Sequence, residues 1–390
     1  MTFLVIQPSP DDLGPLPGAR QRRVPRSPTR KTPTPTRGAV RKSLSTTHTD
    51  RSERSPAEAS PDGTWQRDLA DAVRDPDELL RLLGLPNHLA PGARQGAGLF
   101  PVVVPRSYLA RIRPQDPSDP LLRQVLPLEA EGVAVPNFVD DPLNEDAAQR
   151  APGLLQKYRG RVLLVAATSC AVHCRYCFRR HFPYESAPRG LEAWGPALET
   201  IGADKSIEEV ILSGGDPLIL TDHSLDRLFT ELEAIPHLKR LRIHTRLPIV
   251  LPSRLGSALL KRLRAGRLTP FLVVHANHAA ELVGDCAQAL GNAVDAGIPT
   301  LNQTVLLRGV NDTIAALTGL SRRLVNLRVV PYYLHQLDHV HGAAHFHVPE
   351  KHGRELVAAL RRELPGYAVP LYVTETPGQP SKTPIELRND

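Results

Sequence analysis

From residue 160 onward, β-rich runs alternate with helix-like segments at a spacing of about 30 residues, the period of a βα unit. The β-rich runs fall at 162–167, 210–213, 241–245, 271–275, 301–307 and 329–334. Helix-like segments, such as 225–235, 255–264, 279–296 and 314–325, lie between most of them. Six such units are fewer than the eight that close a TIM barrel, so an α/β fold with an incomplete (β/α)6 barrel is expected. A doubly wound sheet has the same period, and periodicity alone does not separate the two. Residues 371–375 read as one further strand and 376–390 as an irregular tail.

The chain ahead of this repeat differs. Residues 1–62 hold eleven Lys/Arg against six Asp/Glu and ten of the 38 prolines. Such a stretch buries too little apolar surface to offset chain entropy and reads as a disordered, basic, Pro-rich tail. It supplies most of the net charge of +7, and no aromatic residues interleave with its basic ones. The charge therefore does not argue for a specific nucleic-acid partner. Order is expected from about Trp65. Within 63–155, a region of short helices and loops, Asp75-Pro76-Asp77-Glu78 reads as a helix start. Asp75 is the cap, Pro76 the first helical residue, and Glu78 the second half of a capping box. The expected organisation is thus 1–62 tail, 63–155 helical region, 156–370 barrel and 371–390 C-terminal segment.

A hydrophobic content of 41% suffices for a core. No apolar run approaches the ~18–20 residues of a membrane span, and the start lacks the basic n-region of a secretory signal. Four cysteines exclude a disulfide scaffold, which points to the reducing cytoplasm.

Three of those cysteines form Cys170-Ala171-Val172-His173-Cys174-Arg175-Tyr176-Cys177, a CxxxCxxC loop directly after the first strand of the repeat. Three soft thiolates on one tight loop suit an iron–sulfur cluster or zinc. With [4Fe–4S], one iron would keep no protein ligand and could accept a small chelating molecule. Zinc would need a fourth ligand, which His173 or His181 could supply. A thioredoxin-like use of Cys174 and Cys177 belongs to a much smaller fold. Cys286, in an apolar helical stretch, reads as a buried small hydrophobe. One unit later, Ser213-Gly214-Gly215-Asp216 ends the second strand, where glycines let backbone approach a ligand and an Asp can pair with an ammonium.

Lysine is scarce: eight, against 40 arginines. Lys205, Lys239, Lys261 and Lys351 read as solvated. Lys382 lies in a Pro/Gly loop after the last strand, which could return an amine over the barrel mouth to form a Schiff base. By itself it reads equally as an exposed tail lysine.

At the cysteines the chain resembles the radical S-adenosylmethionine superfamily. From about Trp65 to the C-terminus it is similar to the lysine 2,3-aminomutase family, including the branch that serves β-lysylation of elongation factor P. The stretches carrying this are 75–83, 152–159, 174–184, 213–218, 301–312, 331–346 and 380–384. The resemblance implies an isomerase that shifts the amino group of L-lysine from carbon 2 to carbon 3, giving β-lysine. It implies a [4Fe–4S] cluster on Cys170, Cys174 and Cys177, and S-adenosylmethionine at Ser213, Gly214, Gly215, Asp216, His275 and Gln303. It places pyridoxal phosphate on catalytic Lys382 with Arg161, Lys157 and Tyr158. It assigns the substrate carboxylate to Arg179 and the distal amino group to Asp338 and Glu375. Expected partners are L-lysine, elongation factor P and its lysyl ligase, and an external electron donor, with no membrane. The departures are Glu375, where the family has Asp, and Thr313, where the clostridial type has a zinc cysteine. With no further zinc cysteines after Lys382, no zinc is expected. The rivals are an aminomutase for another amino acid such as arginine, and a non-enzymatic iron–sulfur module.

Overall fold

The computed structural model describes residues 64–185 and 187–387. The expected basic tail lies outside the described residues. One ten-stranded sheet runs in chain order, with β1 and β10 at its edges. Its heart is seven parallel strands: β3 (Arg161–Ala167), β4 (Glu209–Gly214), β5 (Arg240–Thr245), β6 (Thr269–His275), β7 (Thr300–Val305), β8 (Val330–His335) and β9 (Leu371–Thr374). Sequential order with a helix in each of the six crossovers is the partial-barrel pattern, and it removes the doubly wound alternative, whose strand order reverses. No helix among the described residues is long and apolar enough to cross a membrane.

The crossover helices form because each carries an apolar stripe at helical spacing. The helix Asp222–Ala234 buries Leu225, Leu228, Phe229 and Leu232, and Thr221 caps it by accepting from the Ser224 N–H at 3.2 Å. Burying side chains of this size stabilises by about 1.5–3 kcal/mol each. Cys286 lies on the same kind of stripe, with Ala289, Leu290 and Ala293, and is fully buried as a small hydrophobe.

Several elements depart from the sequence reading. The expected helix over 279–296 is broken into a turn, Ala279–Glu281, and a helix, Gly284–Asp295. The buried Glu281 carboxylate accepts from the Asn277 and His278 N–H groups and holds the turn apart from the helix. Asp75 does accept from the Asp77 N–H at 3.1 Å, but Glu78 completes no capping box. It pairs instead with Arg106 at 2.8 Å, a stronger, charged partner. Strands β1 (Gln149–Ala151) and β2 (Leu154–Tyr158) precede β3 as antiparallel hairpins, where loops are expected. The tail after residue 375 folds back as β10 (Thr383–Pro384) on β9, and Ile385 is buried beyond it. Thr313 caps the helix Ile314–Asn326.

The helical region ahead of the sheet is a seat for the cysteine loop. Arg175, inside CxxxCxxC, is fully buried and donates to Glu131 at 2.9 and 2.5 Å. It also donates to the carbonyls of Gly96 and Phe100. Arg180 reaches the same Glu131 at 2.7 Å. Removing one partner of a buried pair strands the other charge, at a cost of about 3–5 kcal/mol. Glu131→Ala is therefore expected to lower unfolding stability by about that amount and to reduce iron loading, measured by urea denaturation and iron analysis. Unchanged stability would contradict this seating.

Candidate active site

Residues of the parallel strands β3 to β8 that point away from the helices meet in one cavity of about 610 Å³. Glu209, Ile211 and Ser213 contribute from β4, and Arg240, Arg242 and His244 from β5. Phe271, Val273 and His275 line it from β6, Leu301, Gln303 and Val305 from β7, and Tyr333 and His335 from β8. A volume of a few hundred Å³ with convergent polar groups is that of a ligand site.

Cys170, Cys174 and Cys177 line this cavity from the loop after β3. Burial pushes the Cys177 thiol up to about 11 and the Cys170 thiol well above its usual range, so thiolates here require a cation. Beside them the β4 end runs close under residues 167–169. Gly215 donates to the Ala167 carbonyl and Asp216 to that of Ser169, each at 2.8 Å. A Cβ on Gly215 would lie 2.3 Å from the Ser169 oxygen, and Gly214 sits at φ +112°. Only glycine serves at either place. The Asp216 carboxylate accepts from the Thr245 hydroxyl and from the N–H groups of Arg246, Leu247 and Leu218. It thus braces the ends of β4 and β5, and burial raises it to about 6 despite these bonds. Arg246 donates to the Cys174 sulfur at 2.7 Å, to Gln124 at 2.6 Å and to Glu281 at 3.0 Å. The two histidines weighed as zinc ligands turn elsewhere. His173 contacts the Pro101 carbonyl, and His181 faces Asp140 and His341.

The other expected residues gather across the cavity. The β9–β10 return brings Lys382 onto Glu375, its side chain only 20% exposed, so it is not a solvated tail lysine. Glu375 also holds Lys157 at 2.9 Å, and Lys157 reaches Glu145 at 3.1 Å. Burial opposes the Glu375 charge, but Lys382 and Lys157 outweigh it and hold the carboxyl at about 2. Asp338, also lining the cavity, has no cation within ion-pair distance among the described residues. Burial and the neighbouring Glu375 raise it to about 7. Arg179 is buried, donating from Nε and Nη2 to both oxygens of Glu145 and from Nη1 to the Ser213 hydroxyl at 3.0 Å. Arg161 stacks over Tyr158 at 4.6 Å and, among the described residues, has no carboxylate within ion-pair distance.

All sixteen expected residues line this cavity. Residues missed from the sequence are Glu145, Arg246, His244, His335 and Tyr333. Strand alternation could have found His244, which shares its face with Arg242, and His335, which shares its face with Tyr333. Nothing local marks Glu145, whose importance comes from the two cations packed on it. Burial lowers His275 to about 4 and holds His244 and His335 well below the usual imidazole range, leaving three neutral imidazoles on the wall.

Residues 164–317 match the radical SAM superfamily. Over 326 residues the chain is 48% identical to the L-lysine 2,3-aminomutase of Escherichia coli, covering 83% of this chain and 95% of that protein. It is 44% identical over 324 residues to the protein of that name from Buchnera aphidicola, covering 83% and 95%. With that of Clostridium subterminale it shares 35% over 322 residues, covering 82% and 77%. The chain belongs to the lysine 2,3-aminomutase family of radical SAM enzymes.

The cofactors of such an aminomutase are a [4Fe–4S] cluster, S-adenosylmethionine and pyridoxal phosphate. The cavity fits them. Its three thiols are soft donors on one loop, and an amine and an arginine without a carboxylate partner stand ready for an aldehyde and a phosphate. Hydrogen bonds to cluster sulfurs raise cluster potential by stabilising the reduced form. Arg246→Gln in the aminomutase is expected to shift the potential downward in an EPR-monitored redox titration. An unchanged potential would show that the contact with Cys174 has no such effect.

Proposed function

We propose that this aminomutase converts L-lysine to β-lysine, with Cys170, Cys174 and Cys177 holding the cluster and Lys382, Arg161, Lys157 and Tyr158 holding pyridoxal phosphate. The observation that carries this reading is the single cavity shared by the cysteine trio and Lys382. When bound, the cofactors supply hydrogen abstraction by a carbon-centred radical and a conjugated carrier for the migrating amino group. The chain's own residues bind and orient the substrate. Arg179, fixed by Glu145 through Nε and Nη2, presents positive charge to the substrate carboxylate. Asp338, unlike Glu145, Glu209 and Glu375, has no cation within ion-pair distance among the described residues, and it receives the distal ammonium. Glu375 is engaged by Lys157 and Lys382 and reinforces the negative potential beside Asp338. The neutral imidazoles of His244, His275 and His335 line the wall without adding positive charge against a cationic substrate. Ser213, Gly214, Gly215, Asp216, His275 and Gln303 shape the S-adenosylmethionine side. The same likeness carries the expected use of the product, attachment of β-lysine to elongation factor P by its ligase, and an external electron donor.

Anaerobic incubation with L-lysine, S-adenosylmethionine, pyridoxal phosphate and dithionite is expected to yield β-lysine by amino-acid analysis. With Asp338 near 7, acid protonates it and removes its attraction for the ammonium. KM for lysine should therefore rise as pH falls through 7, approaching about tenfold per unit, with kcat changing less. Asp338→Asn should have a high KM that is flat across this range while keeping its iron and pyridoxal content. No β-lysine from the wild type, or a wild-type KM flat from pH 5 to 8, would overturn the assignment.

A further inference from the structure

Outside the cavity, Asp140, His181 and His341 converge from three separate segments. Asp140 Oδ1 lies 3.7 Å from His181 Nε2 and 3.4 Å from His341 Nδ1. One ligand atom from each of the three falls within 4.8 Å of the others. A metal about 2.0–2.2 Å from each of three donors places them a little over 3 Å apart, near the two distances to Asp140, and the two imidazoles would close on the ion from a separation within 4.8 Å. The imidazole planes are 18° from parallel.

The backbone holds this arrangement without help from an ion. Val139 and Val340 form a β-bridge, with the Val139 N–H on the His339 carbonyl and the His341 N–H on the Val139 carbonyl, both 2.9 Å. That bridge sets Asp140 beside His341. Arg180, next to His181, donates to the Gly342 carbonyl at 3.1 Å and is anchored on buried Glu131. Preorganisation of this kind lowers the entropic cost of binding. His181 Nε2 also lies 3.1 Å from the His341 carbonyl, a contact that a bound ion would replace.

We propose that Asp140, His181 and His341 form a binding site for a divalent transition metal of the zinc type, completed by water. It involves neither the cysteines nor Thr313. His181 stands two residues after Arg179 and His341 three after Asp338, so the ion clasps the segments that carry both ends of the proposed substrate site.

The test uses the untagged full-length enzyme, loaded with its cluster under anaerobic conditions so that the cysteines are occupied. Zinc chloride is titrated by calorimetry, and zinc and iron are quantified after gel filtration. One zinc per chain with micromolar affinity is expected. Asp140→Asn, His181→Gln and His341→Gln should each weaken it about tenfold or more with iron unchanged. These side chains are partly exposed, so folding is expected to survive. Zinc should raise Tm of the wild type and not of the triple variant. Zinc bound as tightly by the triple variant, or no binding at high micromolar zinc, would overturn the site without touching the aminomutase reading.

Discussion

Glu375 closes the open side of the sheet. Its carboxylate stands just beyond β9 and holds Lys157 from β2 and Lys382 from the returning C-terminal segment. Strands at opposite edges of a crescent have no backbone bonds to share, so a buried ion triad takes their place. Breaking such a group leaves an uncompensated charge at a cost of several kcal/mol. The position of Lys382 therefore depends on Glu375 as much as on the short pairing of β10 with β9. The same clamp divides labour between two acids. Glu375 is ionised by its lysines, while burial and then the charge of Glu375 raise neighbouring Asp338 to about 7. Environment alone separates two carboxyls of similar intrinsic acidity.

The rest of the site follows from strand geometry. A parallel strand covered by helices on one side must send every second residue to the other. Six of the strands, β3 to β8, give the cavity a wall read in layers. Glu209, Arg240 and Arg242 are adjacent near the strand starts, and His275 and Gln303 are paired near the strand ends. The cysteines, Asp216 and Arg246 lie beyond the C-terminal ends, where α/β barrels concentrate chemistry. The helical region contributes Glu131 and Gln124, which fix Arg175 and Arg246 against the cysteine loop.

Features that depend on nearby residues were legible in the sequence. The parallel strands show as β-branched runs, the crossover helices as apolar stripes, and the cysteine loop as spacing. Cys286 was legible as core because its neighbours at helical spacing are apolar. What depends on distant partners was not. The β1–β2 hairpin and β10 exist through pairing with β3 and β9, and their own composition is loop-like. The break before Gly284 comes from a buried Glu281, and the lost capping box from Arg106. Arg179 and Asp338 were reached through the family resemblance, since one arginine among 40 carries no local mark. Glu145 was invisible, being defined only by the cations folded onto it.

The central claim is that Lys382 shares a cavity with the cysteine trio and carries the carbonyl cofactor there. The most direct measurement is borohydride reduction of the enzyme reconstituted with pyridoxal phosphate, followed by peptide mapping. The account predicts a pyridoxyl group on Lys382 alone. A label on Lys157, its neighbour on Glu375, or on a surface lysine with Lys382 unmodified would contradict it.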